Sequence, residues 1–166
     1  MKRRIFKFII VFLIGLFPFN LYSQCDVKAM KTKVLARIKE DLVSQDSSIL
    51  LMSLTAGVDI KKYRGDKYCD TLQFTFGVGD YLRFYLVGSD LLPGEASLKL
   101  LRYSTNKALL SVVLKEIKSG ETPSDIRYFD YYTKNVEEYY FILQLDKKST
   151  GCAFATSTQY HPKTTR

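Results

Sequence analysis

Tryptophan is absent and histidine occurs once in this chain of 166 residues. Acid–base and nucleophilic catalysis need a poised base, and His161 stands in the polar tail His161-Pro162-Lys163-Thr164-Thr165-Arg166. A Cys152–His161 dyad fails on geometry, because an odd separation along one extended strand puts the two side chains on opposite faces. The neighbours Glu137 and Glu138 fail as a carboxylate pair for the same reason. No His/Cys cluster has metal-ligand spacing, and Asp59, Asp66 and Asp70 lack the glycine and alternation of a calcium loop. Gly77 and Gly79 lack the third glycine and the following helix of a nucleotide fingerprint. The residues assign no catalytic group, no metal and no cofactor, so the chain reads as noncatalytic.

A long hydrophobic run is also missing. The longest, Phe8 to Tyr22, has about 15 residues, fewer than the roughly 20 that a membrane-spanning helix needs, and Pro18 and Asn20 break it. It follows the basic start Met1-Lys2-Arg3-Arg4 and Lys7, and no acid occurs before Asp26. That is the pattern of a secretory signal, here assigned to residues 1–24. Ser23 supplies the small residue of a cleavage site, which sets the mature start at Gln24 or Cys25. A retained anchor is the competing reading of the run. Acylation of Cys25 is the competing reading of the site, although Gln24 stands where a small residue is wanted.

Removing Lys2, Arg3, Arg4 and Lys7 halves the formal charge from +8 to +4. An exported, mildly cationic domain gives no ground for nucleic-acid binding. At 46% hydrophobic and 25% charged residues the composition is that of an ordinary globular domain, which excludes wholesale disorder. Export points to the periplasm, the medium or the cell surface, where paired thiols persist. Cys25, Cys69 and Cys152 then permit one bridge. Cys69–Cys152 is one candidate and Cys25–Cys69 the other, with Cys152 as a buried apolar residue the alternative to both.

What is present begins with a helix. From Asp26 to about Ser44, Val27, Met30, Val34, Ile38 and Leu42 recur at steps of three or four, with Leu35 beside them, and Asp26 is a natural N-cap. The opposite face carries Lys28, Lys31, Lys33, Arg37 and Lys39, a basic face able to touch anionic lipid without spanning the membrane. After residue 48 the period changes to 2. Strands are expected at Ile49 to Thr55, weakly at Val58 and Ile60, then around Leu72–Phe76, Leu82–Leu86, Leu98–Tyr103, Ala108–Ile117, Ile126–Thr133, Glu138–Asp146 and Cys152–Tyr160. Gly77-Val78-Gly79-Asp80 reads as a hairpin turn. About eight short strands with turns between them, and no room for crossover helices, predict a mainly β chain: an N-terminal helix and link at 25–48, an antiparallel, jelly-roll-like sandwich over 49–161, and a tail at 162–166.

The segment Leu72 to Val87, with Phe-Gly-Val-Gly-Asp-Tyr-Leu-Arg-Phe at its centre, resembles a hairpin of small secreted proteins of Gram-negative bacteria. So do Phe129-Asp130-Tyr131-Tyr132 with Tyr139-Tyr140-Phe141, and Gly151-Cys152-Ala153. The strand patterns are also similar to the bacterial pre-peptidase C-terminal domain, a noncatalytic sandwich appended to secreted enzymes. That resemblance, over roughly Leu50 to Tyr160, implies an accessory role and brings no catalytic residue. The closer pattern implies a Cys near Thr133 and a Gly near Glu137, and neither is present. The bridge that it implies for Cys152 then has Cys69 or Cys25 as substitute partner.

Twelve tyrosines are the outstanding excess. Tyr128, Tyr131, Tyr132, Tyr139 and Tyr140 are expected to pave part of one sheet face with rings that end in hydroxyls, a surface suited to a protein or polysaccharide of the cell envelope. The competing reading is that tyrosine serves the sheet alone. A small secreted hydrolase using Cys152 or an acidic pair, and an envelope protein docked through the basic helix, are the alternatives.

Overall fold

The computed structural model describes residues 25–43, 47–57, 63–64, 67–89, 95–103, 111–146 and 151–161. The expected leader at 1–24, the expected strand at Val58 and Ile60, and the expected tail at 162–166 lie outside the described residues.

Helix α1 spans Val27–Leu42. Asp26 caps it, its carboxylate accepting from the Ala29 N–H at 2.8 Å, which satisfies one of the donors a helix N-terminus leaves free. Met30, Val34, Ile38 and Leu42 are buried, the stripe that the spacing predicts. Among the described residues nine strands follow: β1 Ser47–Gly57, β2 Tyr63–Arg64, β3 Lys67–Phe76, β4 Tyr81–Gly88, β5 Ala96–Tyr103, β6 Ser111–Lys118, β7 Arg127–Tyr132, β8 Glu137–Asp146 and β9 Cys152–His161. They form two antiparallel sheets, β1-β9-β4-β7 and β2-β3-β8-β5-β6. This is the expected helix followed by a β-sandwich.

The alternation holds residue by residue. Leu82, Phe84 and Leu86 of β4, Ala153 and Ala155 of β9 and Phe129 of β7 meet Leu98 and Leu100 of β5 and Tyr139, Phe141, Leu143 and Leu145 of β8 between the sheets. The Phe84 ring stacks on Phe129 at 4.8 Å within its own sheet and touches Phe141 of the other at 5.0 Å. Burial of each such ring contributes about 1.5–3 kcal/mol.

Pairing departs from expectation at two places. Gly77-Val78-Gly79-Asp80 is no hairpin turn: β3 pairs with β2 and β8 while β4 pairs with β7 and β9, so these residues carry the chain from one sheet to the other. Likewise β7 and β8 are consecutive but lie in different sheets. Period-2 alternation fixes which side chains face inward, not which strand lies alongside, and positive φ at Gly79 (90°) serves a crossing as well as a reversal. Thr133 fastens the two crossings together. Its backbone accepts from Gly79 N at 2.9 Å and donates to the Asp80 carbonyl at 3.0 Å, while its hydroxyl accepts from Asp80 N at 2.8 Å and donates to the Gly77 carbonyl at 2.5 Å.

The disulfide is the third correction. Cys25 joins Cys152, with Cα atoms 5.7 Å apart, and Cys69 is a free, buried thiol. Neither pairing expected from the residues, Cys69–Cys152 nor Cys25–Cys69, forms; of the two substitute partners that the resemblance left for Cys152, the structure has Cys25. Cys152 points outward from its sheet into the apolar cluster beneath α1, whereas Cys69 belongs to a cluster with Leu101 and Ile142 on the far side of the other sheet. The full thickness of the sandwich separates them. Cys25, just ahead of the helix, lies on the Cys152 side, and with its sulfur committed it has no thiol to acylate.

Candidate binding trough

Helix α1 covers the outer face of the four-stranded sheet over β9 and β4, where its apolar stripe meets Tyr85, Val87, Phe154 and Tyr160. The edge strand β7 is left beside it. The surface between the helix flank and the outer face of β7 is the candidate trough, across which Arg83 reaches Asp41 of the helix and Asp130 of β7. At one end a cavity of about 530 Å³ is lined by Lys33, Ala36, Arg37 and Glu40 of the helix and by Asp125 and Ile126 leading into β7. The Lys33 ammonium donates to the Ser124 carbonyl at 2.7 Å and fixes that wall. Further along, the floor consists of the outward residues of β7, Tyr128, Asp130 and Tyr132, with Tyr81 and Arg83 of β4 in register beside them.

Arg83 organises the centre. Its side chain is 16% exposed and donates through Nε and Nη2 to the two carboxylate oxygens of Asp130 at 2.5 and 2.7 Å. A second acid, Asp41 at the end of α1, lies 3.7 Å from Nη1 and is also held by Arg37 at 2.8 Å. The guanidinium stands over the Tyr128 ring at 4.4 Å and the Tyr160 ring at 5.7 Å, so cation–π attraction adds to the ion pair. Hydrogen bonding to Asp130 raises the Arg83 pKa against the opposing effect of burial. Tyr85, enclosed beneath the helix, has its phenol pKa pushed up first by burial and then by the Asp41 charge. Tyr160 shifts the same way through burial and Asp130.

Two platforms of rings result. Tyr81 and Tyr132 are 4.8 Å apart, 37% and 45% exposed, and Tyr128, 44% exposed, stacks with Arg83. Of the five tyrosines expected to share a face, the structure brings only Tyr128 and Tyr132 together. Tyr131 and Tyr139 meet edge to face between the sheets at 5.9 Å, with Tyr139 buried. Tyr140 lies with Cys69, Leu101 and Ile142 on the outside of the other sheet. The separation follows from β7 and β8 occupying different sheets. Tyr81, Arg83 and Asp130 were not singled out in the sequence, and the signal that could have found them is the alternation itself, which puts Arg83 and Tyr85 outward on β4 and Asp130 between two outward tyrosines.

The rest of the surface fits other expectations less well. Cys152 is bridged and buried and His161 is exposed, so no dyad exists. Glu137 and Glu138 point to different partners, Arg102 at 3.6 Å and Gln73 at 3.1 Å. Asp70 accepts from the Thr55 and Thr71 N–H groups. No group of three or more His, Cys, Asp or Glu among the described residues could hold a metal ion. No helix among the described residues is long and apolar enough to cross a membrane. On the helix, Lys33 and Arg37 turn to partners within the protein, leaving Lys28, Lys31 and Lys39 exposed. A polar groove of about 390 Å³ on the other sheet, lined by Lys67, Lys99, Lys118, Glu95, Glu116 and Asp146 among others, was invisible in the sequence because it draws on four strands. Its charges pair with one another, Lys118 with Glu95 at 3.0 Å and Lys99 with Glu116 at 3.5 Å.

No family profile matches the chain and no curated protein matches it, so the resemblance to the pre-peptidase C-terminal domain finds no counterpart there. Solved structures to which the chain is similar include PliG of Aeromonas hydrophila, a periplasmic inhibitor of g-type lysozyme (8% identity, TM-score 0.40, covering 69% of this chain and 86% of that one). Others are the Yersinia pseudotuberculosis-derived mitogen (12%, 0.37, 72% and 89%) and TmCBM61 in complex with β-1,4-galactotriose (10%, 0.36, 73% and 92%). None shares enough backbone with this chain for its activity to be carried over.

Proposed function

We propose that the protein is an exported, noncatalytic binding module that recognises a protein or polysaccharide of the cell envelope in the trough between α1 and β7. The observation that carries this reading is the pair of half-exposed tyrosine platforms held on either side of the Arg83–Asp130 fork. Half-exposed rings on a rigid strand give contact area at low entropic cost, and the fork fixes a donor and an acceptor between them. Export is supported by the basic, then apolar, leader and by a bridge that joins the first residues of the mature chain to β9.

The test is retention of the mature domain, from Cys25 onward, on separated envelope polysaccharide and envelope protein fractions, with Tyr128→Ala/Tyr132→Ala as the comparison. Retention on one fraction that the double variant loses supports the reading. Retention on neither, or retention that the double variant keeps, overturns it.

A further inference from the structure

Resting on that reading, we propose that the occupant of the trough is an uncharged linear glycan of about four sugar rings. Three observations converge on it. The first is dimension: β7 has six residues, so its outward side chains form a floor roughly 20 Å long, with Tyr128 and Tyr132 roughly 13 Å apart. A polymer lying along it meets one platform, then the Arg83–Asp130 fork, then the other platform.

The second is the order of chemistry along that floor. Each platform is separated from the next by an ion pair, so the trough has no continuous apolar area of the kind that forms the centre of a protein interface. Alternating ring faces and fixed hydrogen-bonding groups match a chain of pyranose rings, which offers C–H faces to the tyrosines and hydroxyls to the Asp130 carboxylate. That carboxylate is 44% exposed, so its outer lone pairs face the trough while Arg83 holds its orientation.

The third is charge. Of the cations on the trough walls, Arg37 and Arg83 are paired with the Asp41 and Asp130 carboxylates, while Lys33 donates to the neutral Ser124 carbonyl. Glu40 and Asp125 remain exposed on the rim. Three cations, Lys33, Arg37 and Arg83, then stand against the four carboxylates of Glu40, Asp41, Asp125 and Asp130, so an acidic glycan meets a net negative surface, whereas an uncharged one meets no such penalty.

Calorimetric titration of the mature domain separates the cases, using a panel of uncharged linear hexasaccharides of different linkage (β-1,4-glucan, β-1,4-linked N-acetylglucosamine, β-1,3-glucan and β-1,4-mannan) and hexagalacturonate as the acidic probe. At least one uncharged probe is expected to bind, with hexagalacturonate at least tenfold weaker. Tyr128→Ala should weaken binding about tenfold, the equivalent of one stacked ring, and Tyr128→Phe should stay within about twofold. Circular dichroism of each variant confirms that it folds. Hexagalacturonate binding as tightly as the uncharged probes overturns the charge argument. Failure of the whole panel, with tyrosine-dependent retention on envelope proteins intact, overturns the glycan inference and leaves the binding module standing; loss of that retention as well removes both.

Discussion

Arg83 and Asp130 face each other across β4 and β7 in register, and the guanidinium meets both carboxylate oxygens at 2.5 and 2.7 Å. The pair sits where the helix end, the inner strand and the edge strand converge, because Asp41 of α1 approaches the same guanidinium. It therefore couples the helix to the floor of the trough.

Asp130→Asn should cost about 1 kcal/mol, because the amide can accept one of the two hydrogen bonds and Asp41 still compensates part of the Arg83 charge. Arg83→Met should cost more, about 2 kcal/mol, since it leaves Asp130 without its cation, takes from Asp41 the second of its two, and removes the cover of the Tyr128 ring. Urea denaturation of both variants checks the order. Equal costs would mean that Asp41 takes no part.

The bridge makes a second, separable prediction. Cys25 and Cys152 are 127 residues apart in sequence, and closing a loop of that length stabilises the fold by up to about 4–5 kcal/mol in the chain-entropy model. Cys25→Ser should lower the denaturation midpoint strongly while leaving the sandwich folded, since the core between the sheets does not include α1. A thiol reagent should count one free cysteine per unfolded, unreduced chain, Cys69, and little or none in the native state, where that residue is 8% exposed. Three reactive thiols in the unreduced chain would refute the bridge.

The sequence made much of this legible, and the limits have physical causes. The helix came through because its stripe is set by a 3.6 period and its start by Asp26, both local. Inward rows such as Leu82, Phe84 and Leu86 came through because alternation is local too. Pairing is not local. Tyr128 and Tyr132 of β7 and Tyr140 of β8 are neighbours in sequence yet lie on opposite outer faces, while Tyr131 and Tyr139 meet between the sheets, because Thr133 ends one sheet and starts the crossing to the other. The residues alone did not give the Cys25–Cys152 bridge, which entered only as one of the two substitutes that the resemblance left for Cys152: it depends on which sheet face the helix covers, and alternation says only that β9 has two apolar faces.

Thr133 itself gives a third prediction. Its hydroxyl is fully buried and joins Asp80 N to the Gly77 carbonyl, so Thr133→Val keeps the shape and strands one donor and one acceptor. The expected cost is about 1–3 kcal/mol. Thr133→Ser keeps the hydroxyl and should cost less than Thr133→Val. Because the two crossings lead into Tyr81 and Tyr132, faster amide exchange at Gly79 and Asp80 should accompany the valine variant. A valine variant as stable as the parent would show that the network is dispensable.

Alkaline pH gives the fourth. Tyr85 and Tyr139 are buried, and desolvation is the main cause that raises their phenol pKa above the ordinary value of 10.0; Tyr160 moves the same way. A neighbouring carboxylate adds to the shift at Tyr85, from Asp41, and at Tyr160, from Asp130. In the unfolded chain these phenols lose their protons near pH 10, while the folded chain keeps them, so the native state binds more protons above that pH. Stability is then unaffected below about pH 9 and falls as pH climbs through 10 toward the raised native values. Ultraviolet titration of phenolate should show a group of tyrosines, Tyr85, Tyr139 and Tyr160 among them, ionising only with unfolding. Replacing Tyr85 with Phe removes one of the groups that drive the transition and should shift alkaline unfolding to higher pH. Simultaneous, reversible ionisation of all the tyrosines near pH 10 with the fold intact would show that these rings are open to water.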